Sequence, residues 1–131
     1  MNIQKETKVS YFNPETSYAS FHFVHTLKKC CKECLSLDKK LVILCIGSDR
    51  VIGDCLGPLV GHKLSSLLKN SGISVYGTLK KPVHAKNLDD TLKKIRARIQ
   101  NPYIIALDSS LGTNSHVGFV TLGKGALHPG I

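Results

Sequence analysis

The residues most capable of chemistry are acids that follow apolar runs. Asp49 and Asp54 lie in the stretch CIGSDRVIGDCLGPLVG, and Asp108 directly follows the apolar run YIIAL. Two carboxyl groups close together cannot both ionise easily, so one keeps a proton while the other activates water. With a histidine, the same acids could bind a divalent metal ion. Both kinds of chemistry require a fold that brings Asp54 and Asp108 together.

Apolar periodicity indicates which elements would position these acids. Residues at helical spacing predict helices, and short continuous runs rich in β-branched residues predict strands that are covered on both faces. Asn13 and Pro14 are typical of a helix start. The predicted elements are a helix over about 14–36, a strand at 41–46, a helix from Pro58 to a stop at Asn70-Ser71-Gly72, a strand at 73–76, a helix over about 88–99, and strands at 103–107 and 117–122.

This alternation predicts an α/β fold with a mainly parallel sheet and helices on both faces. We expect an irregular arm at 1–12 and a single domain over 13–131. Ligands of such sheets bind at the carboxyl ends of the strands. The loops at those ends are 47–57, 77–87 and 108–116, and they contain Asp49, Asp54, His84, Asp108 and His116.

Each of these residues also has a purely structural interpretation. Asp54 could cap the following helix, although Pro58 at the first helical position would put the cap at Gly57. Asp49 could stabilise a turn, and Asp108 could hydrogen-bond the loop that follows it. For His84 and His116, an exposed or loop-bonding role is an equal alternative to catalysis. Two acids after separate strands of one sheet nevertheless favour a site.

Composition narrows the functional classes. The 131 residues are 42% hydrophobic, and no run approaches the length of a membrane span. The polar start MNIQKETKVS does not resemble a secretory signal, so we expect a cytoplasmic protein without a membrane partner. The five cysteines indicate reduced thiols. Cys31 and Cys34 form a CxxC near His25, but no second pair completes a zinc site, which favours helix packing.

The formal net charge of +9 raises the question of an acidic partner. Most lysines fall on the polar sides of predicted helices, and no aromatic residues are interleaved with them. We therefore expect solvated helix faces and no nucleic-acid partner. A nucleotide or phosphate site is the weakest functional hypothesis, because glycines at 47, 53 and 57 match neither the dinucleotide nor the Walker spacing.

Three stretches, IGSDRVIGDCLGPLVG, VYGTLKKPVHAKNL and IIALDSSLG, occur in this order and resemble the YyaC family of sporulation proteins from spore-forming Firmicutes. The resemblance covers about residues 40–130. That family is similar to the spore germination protease and, more distantly, to hydrogenase maturation proteases. The resemblance implies a three-layer α/β/α sandwich of the phosphorylase/hydrolase-like type, located in the cytoplasm of the forespore or mother cell. A homo-oligomer is compatible with the resemblance.

The resemblance also implies a function. The germination protease is regarded as an atypical aspartic-type endopeptidase, and its two essential acids correspond to Asp54 in GDCLGP and Asp108 in ALDSS. The implied partner is a polypeptide substrate or a spore protein. Hydrogenase maturation proteases hold nickel with two such acids and a histidine, which implies nickel or zinc on Asp54, Asp108 and His84 or His116. The expected supports of the site, including its oxyanion, are Gly47, Gly53, Gly57 and Asp49.

Proteins of the YyaC family continue beyond GALHPGI, where this sequence stops, so we expect the family's C-terminal part to be missing here. The alternative to a peptidase is a binding or regulatory sporulation protein that keeps the fold without hydrolysis. The two carboxylates discriminate between these hypotheses, because hydrolysis needs them and docking does not.

Overall fold

A computed structural model describes residues 9–51, 53–109, 115 and 117–125. It confirms a mixed α/β protein with three helices and two sheets, one of them parallel, in that part of the chain. The elements are β1 (Val9–Phe12), α1 (Ala19–Ser36), β2 (Lys40–Cys45), α2 (Leu56–Leu67), β3 (Ser74–Tyr76), α3 (Leu88–Arg98), β4 (Pro102–Leu107) and β5 (Val120–Gly123).

The chain divides into two compact units. One unit contains β1, the first part of α1 as far as Cys30, and β5. The other contains the end of α1 from Cys31, the strands β2, β3 and β4, and the helices α2 and α3. The single domain expected over 13–131 stays a prediction.

The second unit is built on a parallel sheet with the order β3-β2-β4. Val42, Leu44 and Ile46 point to one face, where they form a buried cluster with Ile95 of α3 and with Val83. Cys45 points to the opposite face because side chains alternate along a strand, and Gly61 of α2 lies against it. The apolar run at 41–46 is thus covered from both sides at its carboxyl end. The complete three-layer sandwich stays a prediction.

The first unit departs from the sequence prediction. Val9–Phe12 forms a strand where an irregular arm was expected. Its partner is β5, which begins at Val120 rather than at 117 and pairs antiparallel with β1 instead of joining the parallel sheet. The buried ring of Phe12 meets Phe23 of α1 edge to face, with centroids 5.4 Å apart. An apolar pattern in the sequence can indicate a strand, but it does not show which other strand pairs with it. This is why the pairing of β5 with β1 was not predicted.

Helix α1 begins at Ala19, five residues later than Pro14. Asn13 does not cap it: its Oδ1 accepts a hydrogen bond from the Glu15 amide at 3.1 Å, and its carbonyl accepts one from Thr16 Oγ1 at 2.8 Å. These bonds stabilise a turn instead of the helix, a well-known alternative for Asn and Thr side chains.

The cysteines are all free thiols. Cys34 is buried and donates to the Lys39 carbonyl at 3.2 Å, and burial raises the pKa of Cys45 to about 11. Both therefore pack as small apolar residues. None of the helices in the described ranges has the length and apolar character that crossing a membrane requires.

Candidate functional site

Asp54 is held close to the carboxyl end of β2 by backbone hydrogen bonds. The Ser48 amide donates to the Asp54 carbonyl at 2.9 Å, and the Asp54 amide donates to the Val51 carbonyl at 3.1 Å. Ser48 lies only three residues beyond the end of β2. The chain therefore leaves the strand, turns, and returns with Asp54 next to the strand end.

The start of α2 follows at once. Cys55 is the N-cap residue, and its side chain makes no capping hydrogen bond. Asp54 therefore lies in the loop before the cap, as one of the two interpretations predicted. Pro58 is the third helical residue rather than the first, so the prediction of a Gly57 cap was wrong.

Glycines let α2 approach the strand ends closely. A Cβ on Gly57 would collide with the backbone of Ile46, and one on Gly61 would collide with the carbonyl of Gly77. The helix start can lie directly against the sheet edge only because these positions carry no side chain. The sequence analysis expected Gly57 to support an oxyanion. In the structure Gly57 also allows α2 to pack closely against Ile46.

Asp108 occupies the same edge through the neighbouring strand. The register of the parallel pair places Cys45 beside Leu107, and the Ile46 amide donates to the Leu107 carbonyl at 2.7 Å. Asp108 directly follows Leu107, so it leaves β4 at the level where the chain leaves β2. Parallel neighbours are about 4.8 Å apart, which brings the two strand exits together.

Asp108 is electrostatically perturbed. Burial raises the pKa of its carboxyl group, the negative charge of Asp54 raises it further, and a hydrogen bond from the Ser109 backbone partly opposes both. The influence of Asp54 is significant because it requires the two carboxyl groups to be near each other. A carboxyl group that holds its proton more tightly beside a second acid is the arrangement of a proton-sharing pair.

His84 approaches this edge from the other side of β2. Val83 makes a parallel bridge with Ile46, and the Gly47 amide donates to the Val83 carbonyl at 2.8 Å. Asn87 fixes the segment: its Oδ1 accepts from the His84 amide at 2.8 Å, and its Nδ2 donates to the Pro82 carbonyl at 3.1 Å. Sequence reasoning missed Asn87, although an Asn before a predicted helix is a recognisable capping signal.

The other residues that the sequence predicted for the site do not all support it. Asp49 is exposed, and Gly53 is exposed with a φ of 88° and open space around it. The Gly47 amide already donates to Val83, so it is not available to an oxyanion. His116 lies outside the described residues. Helix α2 begins at Leu56, and the first amides of a helix have no acceptor within it, so the amides of Leu56 and Gly57 are alternative candidates for this support.

No group of three or more His, Cys, Asp or Glu side chains is gathered as a metal site within the described ranges. Nickel or zinc binding stays a prediction. Two concavities occur elsewhere: one of about 340 Å³ between β1 and the start of α1, and one of about 580 Å³ at the amino ends of the parallel strands. Neither is lined by the two acids, so we locate the candidate site by its charges rather than by its volume.

Comparison with known proteins identifies the family. A family described as "Protein of unknown function (DUF1256)" matches residues 11–131. The chain belongs to the DUF1256 family. It is also similar to a Bacillus subtilis (strain 168) protein described as "Uncharacterized protein YyaC", with 47% identity over 92 residues. No solved structure matches the chain.

The YyaC likeness confirms the family resemblance seen in the sequence motifs. The match covers 70% of this chain and 44% of the YyaC protein, so the chain spans less than half the length of that relative. Asp54, Asp108 and His84 all lie within the range that DUF1256 matches. Relation to the germination and hydrogenase maturation proteases stays a prediction from the motifs.

Proposed function

We propose that this DUF1256 protein is a peptidase in which Asp54 and Asp108 activate a water molecule against a peptide carbonyl. The observation that carries the proposal is the pKa of Asp108, raised by burial and by the charge of Asp54 at the exits of two neighbouring parallel strands. Its likeness in motif to the germination protease supports a polypeptide substrate, and the cytoplasm of a spore-forming cell is the proposed location.

The two acids take different parts. Asp108 takes the part of the acid, because burial and the charge of Asp54 raise its pKa, and Asp54 takes the part of the general base. Asp54 accepts a proton from water as the water oxygen bonds to the peptide carbon, and the Asp108 proton moves toward the carbonyl oxygen. As the intermediate collapses, its hydroxyl proton returns to Asp108, the C–N bond breaks, and the leaving amine takes the proton held by Asp54. The first amides of α2 have no acceptor within the helix and follow Asp54 in the chain, so we assign them the stabilisation of the developing negative charge on the carbonyl oxygen.

The test replaces each acid by its amide. Asp54→Asn and Asp108→Asn keep size but remove basicity, and each should lower turnover by about 10²–10⁴-fold. The double variant should be no worse than either single one, because the two acids work in one step. Asp49→Asn is the matched control, since Asp49 is an exposed acid on the same edge. Cleavage of extracted spore proteins would be followed by mass spectrometry.

Cleavage that survives both substitutions would refute the acid pair. If no substrate is cut while polypeptide binding persists, the protein is the non-catalytic binding or regulatory module instead. Calorimetric titration with nickel and with zinc separates the metal-assisted form from the proton-sharing form. Heat that is lost in Asp54→Asn and in His84→Ala would assign a metal to these residues, and activity that survives a chelator would exclude its participation.

A further inference from the structure

A short excursion interrupts the third strand of the parallel sheet beside the candidate site. Strand β3 ends at Tyr76, and Gly77 packs against the Cys45 carbonyl. The bridge of Val83 to Ile46 then resumes the same strand position one level further along β2. Residues 78–82 therefore leave the sheet and return to it almost where they left, as a five-residue bulge.

Hydrogen bonds hold this bulge in one conformation. The Thr78 amide donates to the Lys81 carbonyl at 3.2 Å, and the Lys81 amide donates to Thr78 Oγ1 at 3.1 Å. Pro82 follows, and its carbonyl accepts from Asn87 Nδ2. A turn closed at both ends loses little conformational freedom on binding, so whatever it presents is already in place.

The bulge presents two adjacent cations, Lys80 and Lys81. Both are exposed, and neither forms an ion pair with an acid of the described residues. The whole segment 77–87 contains no Asp or Glu and adds a third exposed lysine, Lys86. Unpaired cations on a fixed turn attract a negatively charged partner and keep their charge available to it.

The distance from the acid pair to this bulge suits a peptide. Crossing from β4 to β3 spans two strand spacings of about 4.8 Å each. Lys81 precedes Val83 by two residues, which adds at most about 7 Å. The Lys81 backbone is therefore within about 17 Å of the Asp108 backbone. An extended peptide rises about 3.3 Å per residue, so about five residues cover that distance.

We propose that Lys80 and Lys81 dock an acidic segment of the polypeptide substrate, up to about five residues from the bond placed at Asp54 and Asp108. The inference rests on the proposed peptidase function and assigns its substrate class. A polypeptide fits better than a nucleic acid, because uniform phosphate charge would be repelled by the acids of this edge. Segment 77–87 also has no Phe, Tyr or Trp on which bases could stack.

The test measures binding without turnover. Fluorescein-labelled peptides of equal length, one with a Glu-rich segment and one with Lys in its place, are titrated by anisotropy with the full chain carrying Asp54→Asn. Lys80→Ala combined with Lys81→Ala should weaken binding of the acidic peptide by about 2- to 30-fold. Lys93→Ala combined with Lys94→Ala is the matched control, because these lysines are also adjacent and exposed but lie on α3. Added salt should weaken the binding of the acidic peptide and not that of the Lys-containing peptide.

Two results would overturn the docking surface. One is equal loss of binding in both lysine pairs, which would indicate general attraction to a basic protein. The other is a single-stranded oligonucleotide that displaces the acidic peptide and depends more strongly on Lys80 and Lys81, which would make this a nucleic-acid surface. Since the assay uses an inactive variant, the docking surface can fail while the peptidase proposal stands. If cleavage is found, loss of the two lysines should raise KM and leave kcat unchanged.

Discussion

The two edges of the parallel sheet differ in how they hold charge. The amino edge has a concavity of about 580 Å³ whose lining includes the charged residues Asp38, Lys40 and Arg98. These three charged groups are all exposed. The carboxyl edge holds Asp108 partly buried beside a second acid.

The concavity of about 580 Å³ and the perturbed acid therefore lie at opposite edges of the sheet. The charges at the amino edge are exposed to solvent, and Arg98 in the last turn of α3 complements the C-terminal end of that helix. At the carboxyl edge, Asp108 is partly buried and feels the charge of Asp54. Desolvation and like charge are what change an acid's reactivity.

The largest expected change in stability comes from replacing one glycine at each edge by alanine, Gly72 at the amino edge and Gly77 at the carboxyl edge. Gly77 has a φ of 91° and Gly72 a φ of 84°, so alanine is strained at both. A Cβ on Gly77 would also collide with the Cys45 carbonyl, whereas one on Gly72 meets nothing within 4 Å. Gly72→Ala should lower the free energy of unfolding by about 1–2 kcal/mol and Gly77→Ala by about 2–5 kcal/mol. Urea denaturation measures both.

Equal losses in the two variants would mean that backbone conformation alone decides the cost. The contact between Gly77 and β2 would then have no special importance. A larger loss in Gly77→Ala than in Gly72→Ala would instead show that the carboxyl edge depends on close backbone packing.

A gain of stability is expected at the amino edge. Asp38 follows α1 with a φ of 52°, and its amide donates to the Leu35 carbonyl at 3.1 Å. Both its backbone conformation and its negative charge at a helix C-terminus are unfavourable. Asp38→Gly should raise the free energy of unfolding by about 1 kcal/mol, and Asp38→Asn should recover only the charge part, about 0.3–1 kcal/mol. A decrease in thermal stability for Asp38→Gly would contradict this account.

Much of the parallel sheet could be predicted from sequence because its signals are local. The continuous apolar runs predicted β2, β3 and β4 to within a residue at each end, and the stripe over 88–99 predicted α3. The start of α1 could not be predicted, since Asn13 stabilises either a cap or a turn with the same side chain. The pairing of β1 with β5 is a long-range choice that no local pattern records.

The candidate site was predictable in position and less so in chemistry. Strand ends and loop order placed Asp54, Asp108 and His84 on one edge. The perturbation of Asp108 depends on how deeply packing buries it and how near Asp54 returns, which are three-dimensional quantities. The supports were also missed in part: the Gly47 amide is occupied, and Asn87 fixes the histidine loop. The catalytic assignment stays a prediction.

The smallest expected effect tests the pair without any activity. Because the pKa of Asp108 is raised in the folded protein above its ordinary value of 3.8, the folded state binds the proton more tightly than the unfolded state. Protonation therefore stabilises the fold. As the pH rises through 3.8 toward the raised pKa, the unfolded state ionises first and stability is lost, and above the raised pKa the loss stays constant.

Asp108→Asn should consequently be more stable than the wild type at neutral pH. The advantage should shrink as the pH falls from the raised pKa through 3.8, because the wild-type carboxyl then becomes neutral as well. The Ser109 amide can still donate to the amide oxygen, so the substitution leaves that bond in place. Asp49→Asn, exposed on the same edge, should change stability by less than about 0.5 kcal/mol.

Asp54→Asn sharpens this test because it removes one of the two causes of the shift. The pKa of Asp108, followed by NMR titration of its carboxyl carbon, should fall when the neighbouring charge is gone, and burial should keep it above 3.8. Asp49→Asn should leave that pKa nearly unchanged. If the pKa of Asp108 is the same in Asp54→Asn as in the wild type, the two carboxyl groups are not neighbours. The carboxyl edge would then differ from the amino edge only in the burial of a single acid.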